Sequence, residues 1–129
     1  MAIKIVTMDL NTVRTYTPKS EEHEEVKTTF KFKPMGKRQL ALYKDNSSRM
    51  SLQTNSFYFG NSANAIEIFK AQIVDWENVL DEKDKPIAIK ITNGLVSDEQ
   101  INLFPLELIE EVSNHIITVS SMTKEIETL

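Results

Sequence analysis

Asp81, Glu82 and Asp84 crowd together in DWENVLDEKDKPIAIK, residues 75–90. Carboxylates this close can share a divalent cation through their oxygens. A calcium loop would show an Asp-x-Asp-x-Asp-Gly run and a glutamate at its twelfth position, and neither is present. Lys83 and Lys85 stand among the acids and compete with a cation for them. A second cluster, Glu21-Glu22-His23-Glu24-Glu25, contains residue types that ligate metals. A metal needs ligands that converge in space, whereas consecutive residues of a polar loop point apart. His115 flanks an apolar stripe. There is no cysteine to pair with it and no Gly-x-Ser-x-Gly elbow to supply a serine nucleophile. The sequence therefore predicts no catalytic residues, no metal site and no cofactor. The acidic stretch is expected to be the solvated tip of a hairpin.

The 129 residues suit one domain, spanning 1–129, with enough chain for a genuine core. Apolar residues make up 40% and charged residues 26%, which is an ordinary globular balance. A net charge of −4 argues against broad nucleic-acid or anionic-membrane binding. The absence of cysteine excludes disulfides and thiolate metal sites and fits a reducing compartment. No stretch reads as a secretory signal or a membrane span. Only Gly36, Gly60 and Gly94 are glycines, too few and too scattered for a phosphate-cradling loop.

These charged stretches need a scaffold. Ile3–Met8 reads as a short strand. Residues 11–25 read as a polar, exposed connection. Val26–Lys33 alternates: Val26, Thr28, Phe30 and Phe32 share one face, and Lys27, Thr29, Lys31 and Lys33 the other. Pro34 ends that strand. A helix is expected from Met35 to about Tyr43, with Leu40 and Tyr43 inside. Ser62 can cap a helix in which Ala65, Ile66, Phe69 and Ile73 keep helical spacing, and this helix passes into a strand. There Val74 and Trp76 are expected on one side, Asp75 and Glu77 on the other. Residues 87–91 return against this strand, giving a β-hairpin at about 73–91. Asn93-Gly94 marks another turn. Ser97-Asp-Glu-Gln100 has capping-box form. Leu108, Ile109, Val112, Ile116 and Val119 then make an apolar stripe on a helix that Pro105 opens and Ser120–Ser121 closes. The tail, 121–129, is read as a further turn or a free end. The expected fold is α+β: a small antiparallel sheet with two to three helices packed on it.

Two surfaces are candidates for binding a partner. One is the aromatic cluster Phe57, Tyr58 and Phe59. The other is the stripe around Ile109, Val112 and Ile116. Trp76 serves either as core or as a partner anchor. The basic residues Lys27, Lys31, Lys33, Lys37 and Arg38 form one patch. Its expected role is to solvate the strand and guard a sheet edge.

Taken in order, EEVKTTFKFKPM, the strand VDWENV, the turn DEKDKP, IAIK, LFPLELIEEVSNHI and SSMTKE resemble a group of small bacteriophage and prophage proteins encoded near tail genes. Many of these are described as tail assembly chaperones or small tail proteins. The resemblance runs from about Val26 to Glu125. The related turn often carries a glycine where Asp84 or Lys85 stands here. The resemblance implies a non-enzymatic morphogenesis protein acting in the bacterial host cytoplasm. Its partners would be other phage tail proteins, the tape measure or tail subunits, with homo-oligomers also in view. An alternative is a structural virion subunit of the tail or head–tail connector. A third reading is a small metal-dependent enzyme using the acidic turn.

Overall fold

The structure, a computed structural model, describes residues 9–43 and 62–121. The expected strand Ile3–Met8, the Phe57–Phe59 cluster and the tail after Ser121 lie outside those residues. The fold is α+β, with small antiparallel sheets and several helices. In chain order, β1 (Arg14–Tyr16) and a 3₁₀ turn (Lys19–Glu21) lead to β2 (Thr29–Phe32). Helix α1 begins at residue 37 and is described to residue 43. Then come α2 (Ser62–Gln72), β3 (Ile73–Glu77), β4 (Ile91–Thr92) and β5 (Leu95–Val96). The short α3 (Asp98–Ile101) and the long α4 (Leu106–Ser121) follow.

The strand order of the main sheet is β1-β2-β3, antiparallel throughout. β2 is thus the central strand, so Lys31 guards no edge. Its ammonium pairs with Glu77 on the neighbouring strand at 3.0 Å. The 11–25 segment, expected as an exposed connection, contains β1 and the fully buried Pro18. It escaped the periodicity argument because β1 is three residues long. Phe30 and Phe32 are fully buried, as alternation predicts, but Val26 lies outside the strand and is exposed.

The junction between α2 and β3 has no loop. A β-bulge absorbs the change of path: Lys31 pairs with Asp75, Phe32 pairs with Ile73, and Val74 is the extra residue. The bulge corrects the expected facing. Ile73 and Trp76, rather than Val74 and Trp76, are the buried pair. Gln72 locks the junction by donating its side-chain amide to the Lys33 carbonyl at 2.8 Å, while the Lys33 N–H donates to the Gln72 carbonyl at 3.1 Å.

The return strand also differs from expectation. β3 pairs with β2, and residues 87–90 form no ladder with it. The Trp76 indole N–H donates to the Ile87 carbonyl at 2.7 Å. Side chains stand off a sheet face, so this bond holds the returning chain over the core face and out of the sheet plane. Gln100 holds the other side of the segment, accepting from Lys90 N–H and donating to the Ala88 carbonyl, each at 2.7 Å. Ser97 stands at the N-cap of α3, but its hydroxyl makes no cap bond, and the capping box does not close because Gln100 is engaged elsewhere. The Asn93-Gly94 turn does form. Both residues have positive φ, 54° and 77°, the pattern of a two-residue hairpin turn between β4 and β5.

The helices pack on the face that carries Phe30, Phe32 and Trp76. Phe30, Phe69, Trp76 and Phe104 form a four-ring cluster with centroid spacings of 5.3–6.3 Å, mostly edge to face. On α4, Ile109, Val112, Ile116 and Val119 are buried, matching the expected stripe. Ser113 and Ser120 are buried with them. Ser113 Oγ donates to the Ala65 carbonyl at 2.7 Å, and Ser120 Oγ accepts from Met35 N–H at 2.9 Å. The small Ser113 side chain permits this close approach of α2 to α4, and Ser120 ties the segment after β2 to the end of the described helix. Ser62, expected as a cap, is the first described residue of α2, and its hydroxyl donates to Glu110 at 2.8 Å.

The Trp76–Ile87 bond gives a direct test. Trp76→Phe keeps an aromatic ring but leaves the Ile87 carbonyl without its donor. Urea unfolding should show a loss of about 1–3 kcal/mol, the usual penalty for a stranded buried polar group plus some lost packing.

Candidate functional site

The acidic turn is built as a turn. Asp81 N–H donates to the Lys85 carbonyl at 2.9 Å, and Asp84 N–H donates to the Asp81 carbonyl at 3.0 Å. Leu80 and Pro86 form a single antiparallel bridge below it. The Asp81 carboxylate accepts from the backbone N–H groups of Lys83 and Lys85, at 2.8 and 3.0 Å. It therefore shapes the loop from within. Asp84 occupies the left-handed position with φ of 62°, where three-residue hairpin loops normally place glycine. The hairpin tip expected at 81–85 is present, but its ladder is one bridge long and does not involve β3. Among the described residues, no group of three or more His, Asp or Glu side chains is placed to hold a metal ion. His23 is exposed beside Glu22, and the acidic run around it follows the 3₁₀ turn on the surface.

The chain also builds an open cleft of about 750 Å³ beside this turn. Its walls come from two segments. Val79, Leu80 and Ile87 contribute from the hairpin, and Leu103, Phe104 and Leu108 from the approach to α4. Phe104 brings the aromatic cluster to the floor. Leu80 and Leu103 stand on the surface, 46% and 54% exposed. Asp81, Glu82, Lys83 and Lys85 supply charged groups along one side, and Thr28 closes the lining. Clefts with an apolar floor and a few polar groups at the margin are the ordinary form of a binding site. This one offers apolar contact and charged margins.

The residues singled out from the sequence are placed differently. Trp76, Ile109, Val112 and Ile116 are all buried core, and none of the four presents a surface. The stripe that reads as a binding face is covered within this chain, chiefly where α2 packs on α4. Phe57, Tyr58 and Phe59 lie outside the described residues. Compared with family models, curated proteins and solved structures, the chain matches none of them. No helix among the described residues is long and apolar enough to cross a membrane.

Sequence reasoning missed the cleft. Its one legible signal is Leu103-Phe104 directly before Pro105, two large apolar residues in a turn where polar ones are usual. The other wall needs the chain reversal at 81–85, which brings Leu80 and Ile87 beside that turn.

The turn chemistry is testable. Asp84→Gly relieves the left-handed strain at some cost in chain entropy, and should raise stability by about 0.5–1 kcal/mol in thermal or urea unfolding. Asp81→Ala removes the acceptor of two backbone donors and should lower stability by about 1–2 kcal/mol. Calorimetry with calcium or magnesium is expected to show no binding to the wild-type chain. Tight binding lost in Asp81→Ala would instead revive a metal site at the turn.

Proposed function

We propose that this chain is a non-enzymatic bacteriophage morphogenesis protein, a tail assembly chaperone that holds an apolar segment of a tail component until subunits polymerise. The observation that carries the proposal is the ordered resemblance from EEVKTTFKFKPM through VDWENV, DEKDKP and LFPLELIEEVSNHI to SSMTKE. The cleft beside the 81–85 turn supports it by offering exposed Leu80 and Leu103 over a Phe104 floor. Exposed apolar surface of this kind commonly marks a contact with another protein. The mechanism is masking: an apolar segment that would otherwise associate out of order is covered while assembly proceeds. The binding partner is a tape measure or tail subunit, and the place of action is the cytoplasm of the bacterial host.

Mass spectrometry of purified mature particles separates this reading from a permanent virion part. The chaperone reading expects the protein in induced or infected cells and its absence from finished particles. Many copies per particle would make it a structural subunit. A pull-down from induced cells is expected to recover a tail protein with the wild-type chain. Leu80→Asp combined with Leu103→Asp should weaken that capture at least about tenfold while changing stability by less than about 1 kcal/mol, since both side chains are already exposed. Unchanged capture would remove the cleft from the mechanism.

A further inference from the structure

Asn93 and Gly94 make the turn that closes β4 on β5, and both are exposed. They are the single Asn-Gly step in the sequence. No heavy atom lies within 4 Å of the place a Gly94 Cβ would take. Among the described residues, neither the Asn93 side chain nor the Gly94 N–H has a hydrogen-bond partner. The other described asparagines are held differently. Asn78 shares the left-handed backbone, with φ of 59°, but its carboxamide donates to the Lys27 carbonyl at 2.8 Å and Val79 follows it. Asn64 and Asn114 lie inside α2 and α4, where the helical angles hold the next amide away from the side-chain carbonyl. Asn11 and Asn102 precede Thr12 and Leu103, whose side chains crowd the backbone nitrogen. Only at Asn93 is a free carboxamide followed by an unhindered amide.

We infer that Asn93 is a site of spontaneous modification: the Gly94 nitrogen displaces its side-chain ammonia, and the isoaspartate that follows unlocks the β4–β5 hairpin. This inference stands apart from the proposed tail function and uses none of its residues. In the first step the Gly94 nitrogen gives its proton to hydroxide and bonds to Cγ of Asn93. The Cγ–Nδ2 bond breaks, and the nitrogen leaves as ammonia after taking a proton from water. A five-membered succinimide results. Water then opens one of its two carbonyls. Opening at Cγ gives aspartate. Opening at the main-chain carbonyl gives isoaspartate, in which the chain runs through Cβ and Cγ. One ammonia leaves and one water enters, so no oxidant or reductant is needed.

Attack requires Asn93 to leave its left-handed conformation, which opens the Thr92–Leu95 pair at the turn. That opening is small. Each strand is two residues long; Ile91, Thr92 and Leu95 are exposed, and Val96 alone is buried. Segments with so few buried contacts open locally at low free energy. Gly94, without a side chain, rotates freely as they do so. The product does not fit back. A two-residue turn of this kind needs positive φ at both central residues. Isoaspartate adds a methylene to the main chain and one negative charge to a net of −4. The longer link no longer matches the Thr92–Leu95 and Ile91–Val96 register. Val96 stays anchored in the core, so the damage is confined to the hairpin end.

Incubation of the full wild-type chain at neutral pH, followed by peptide mass mapping, tests this. Asn93 should gain about one dalton, NH2 exchanged for OH, at least about tenfold faster than any other described asparagine. The same incubation in urea gives the rate for the open chain, and the folded rate should lie within about tenfold of it. A slower folded rate means that the turn guards the amide, and it overturns the inference. So does faster conversion at another described asparagine. Enzymatic methylation of the free α-carboxyl tells isoaspartate from aspartate, and aspartate as the sole product also overturns it. Hydrogen exchange then compares the isoaspartate fraction with fresh chain. The Thr92 and Leu95 amides should exchange at least about tenfold faster in that fraction, with β2–β3 amides unchanged. Equal protection in the two samples, or a loss shared by β2–β3, overturns the unlocking of the hairpin.

Discussion

Phe30 is the side chain on which the rest of this molecule depends. It is fully buried on the central strand, and its ring touches Phe69 of α2, Trp76 of β3 and Phe104 at the entry to α4. Three separate parts of the chain meet at one ring. Large aromatic side chains bury the most apolar area per residue, so this cluster contributes a large share of the packing energy. The rest of the architecture is arranged to keep those rings together. The bulge at Val74 turns Ile73 and Trp76 onto the same face. The Trp76 indole then fixes the returning chain above them through Ile87.

That arrangement has a consequence for the sheet. Because residues 87–90 pass over the core face, β3 is the edge strand of the sheet among the described residues. Asp75 blunts it. Its carboxylate accepts the backbone N–H of Trp76 at 2.8 Å, placing a charged group where an incoming strand would need a free donor. Gln100 performs a related task on the returning chain by imitating a strand neighbour with its side-chain amide. Buried backbone groups must find partners, and here side chains supply what a longer ladder would have supplied. α3 is accordingly anchored through Gln100 to the segment at 88–90. Lys70 of α2 adds an ion pair to Asp98 at its first turn.

The same packing decides which apolar residues remain available to another molecule. The regular stripe of α4 satisfies the core, and the irregular leucines at 80 and 103 are left outside. A helix with a strongly apolar face in a small domain is nearly always needed internally, since a chain of this size has few elements with which to build a core. The aromatic cluster serves both purposes. Phe104 is part of the core on one side and the floor of the cleft on the other, so the stability of the fold and the shape of the cleft are coupled through a single ring.

Several features were determined by the sequence alone. The alternation of Phe30 and Phe32, the run of α2 straight into a strand, the Asn93-Gly94 turn and the start and apolar stripe of α4 each follow from residues adjacent along the chain. Backbone preference and the 2.0 and 3.6 periodicities are local properties, so local sequence carries them. Other features were decided only by the tertiary structure. The partner of β3, the sharing of a face by Ile73 and Trp76, the burial of Ser113 and Ser120, the existence of β1 and the position of the cleft all depend on contacts between distant segments. The expected hairpin forms around its tip, through the Leu80–Pro86 bridge, but its return segment does not pair with β3, for that reason. Alternation shows that a strand has two faces, but which neighbour takes its edge depends on where a tryptophan ring finds room. In this chain the ring lies between the sheet and residues 87–90, and the backbone pairing follows from that packing.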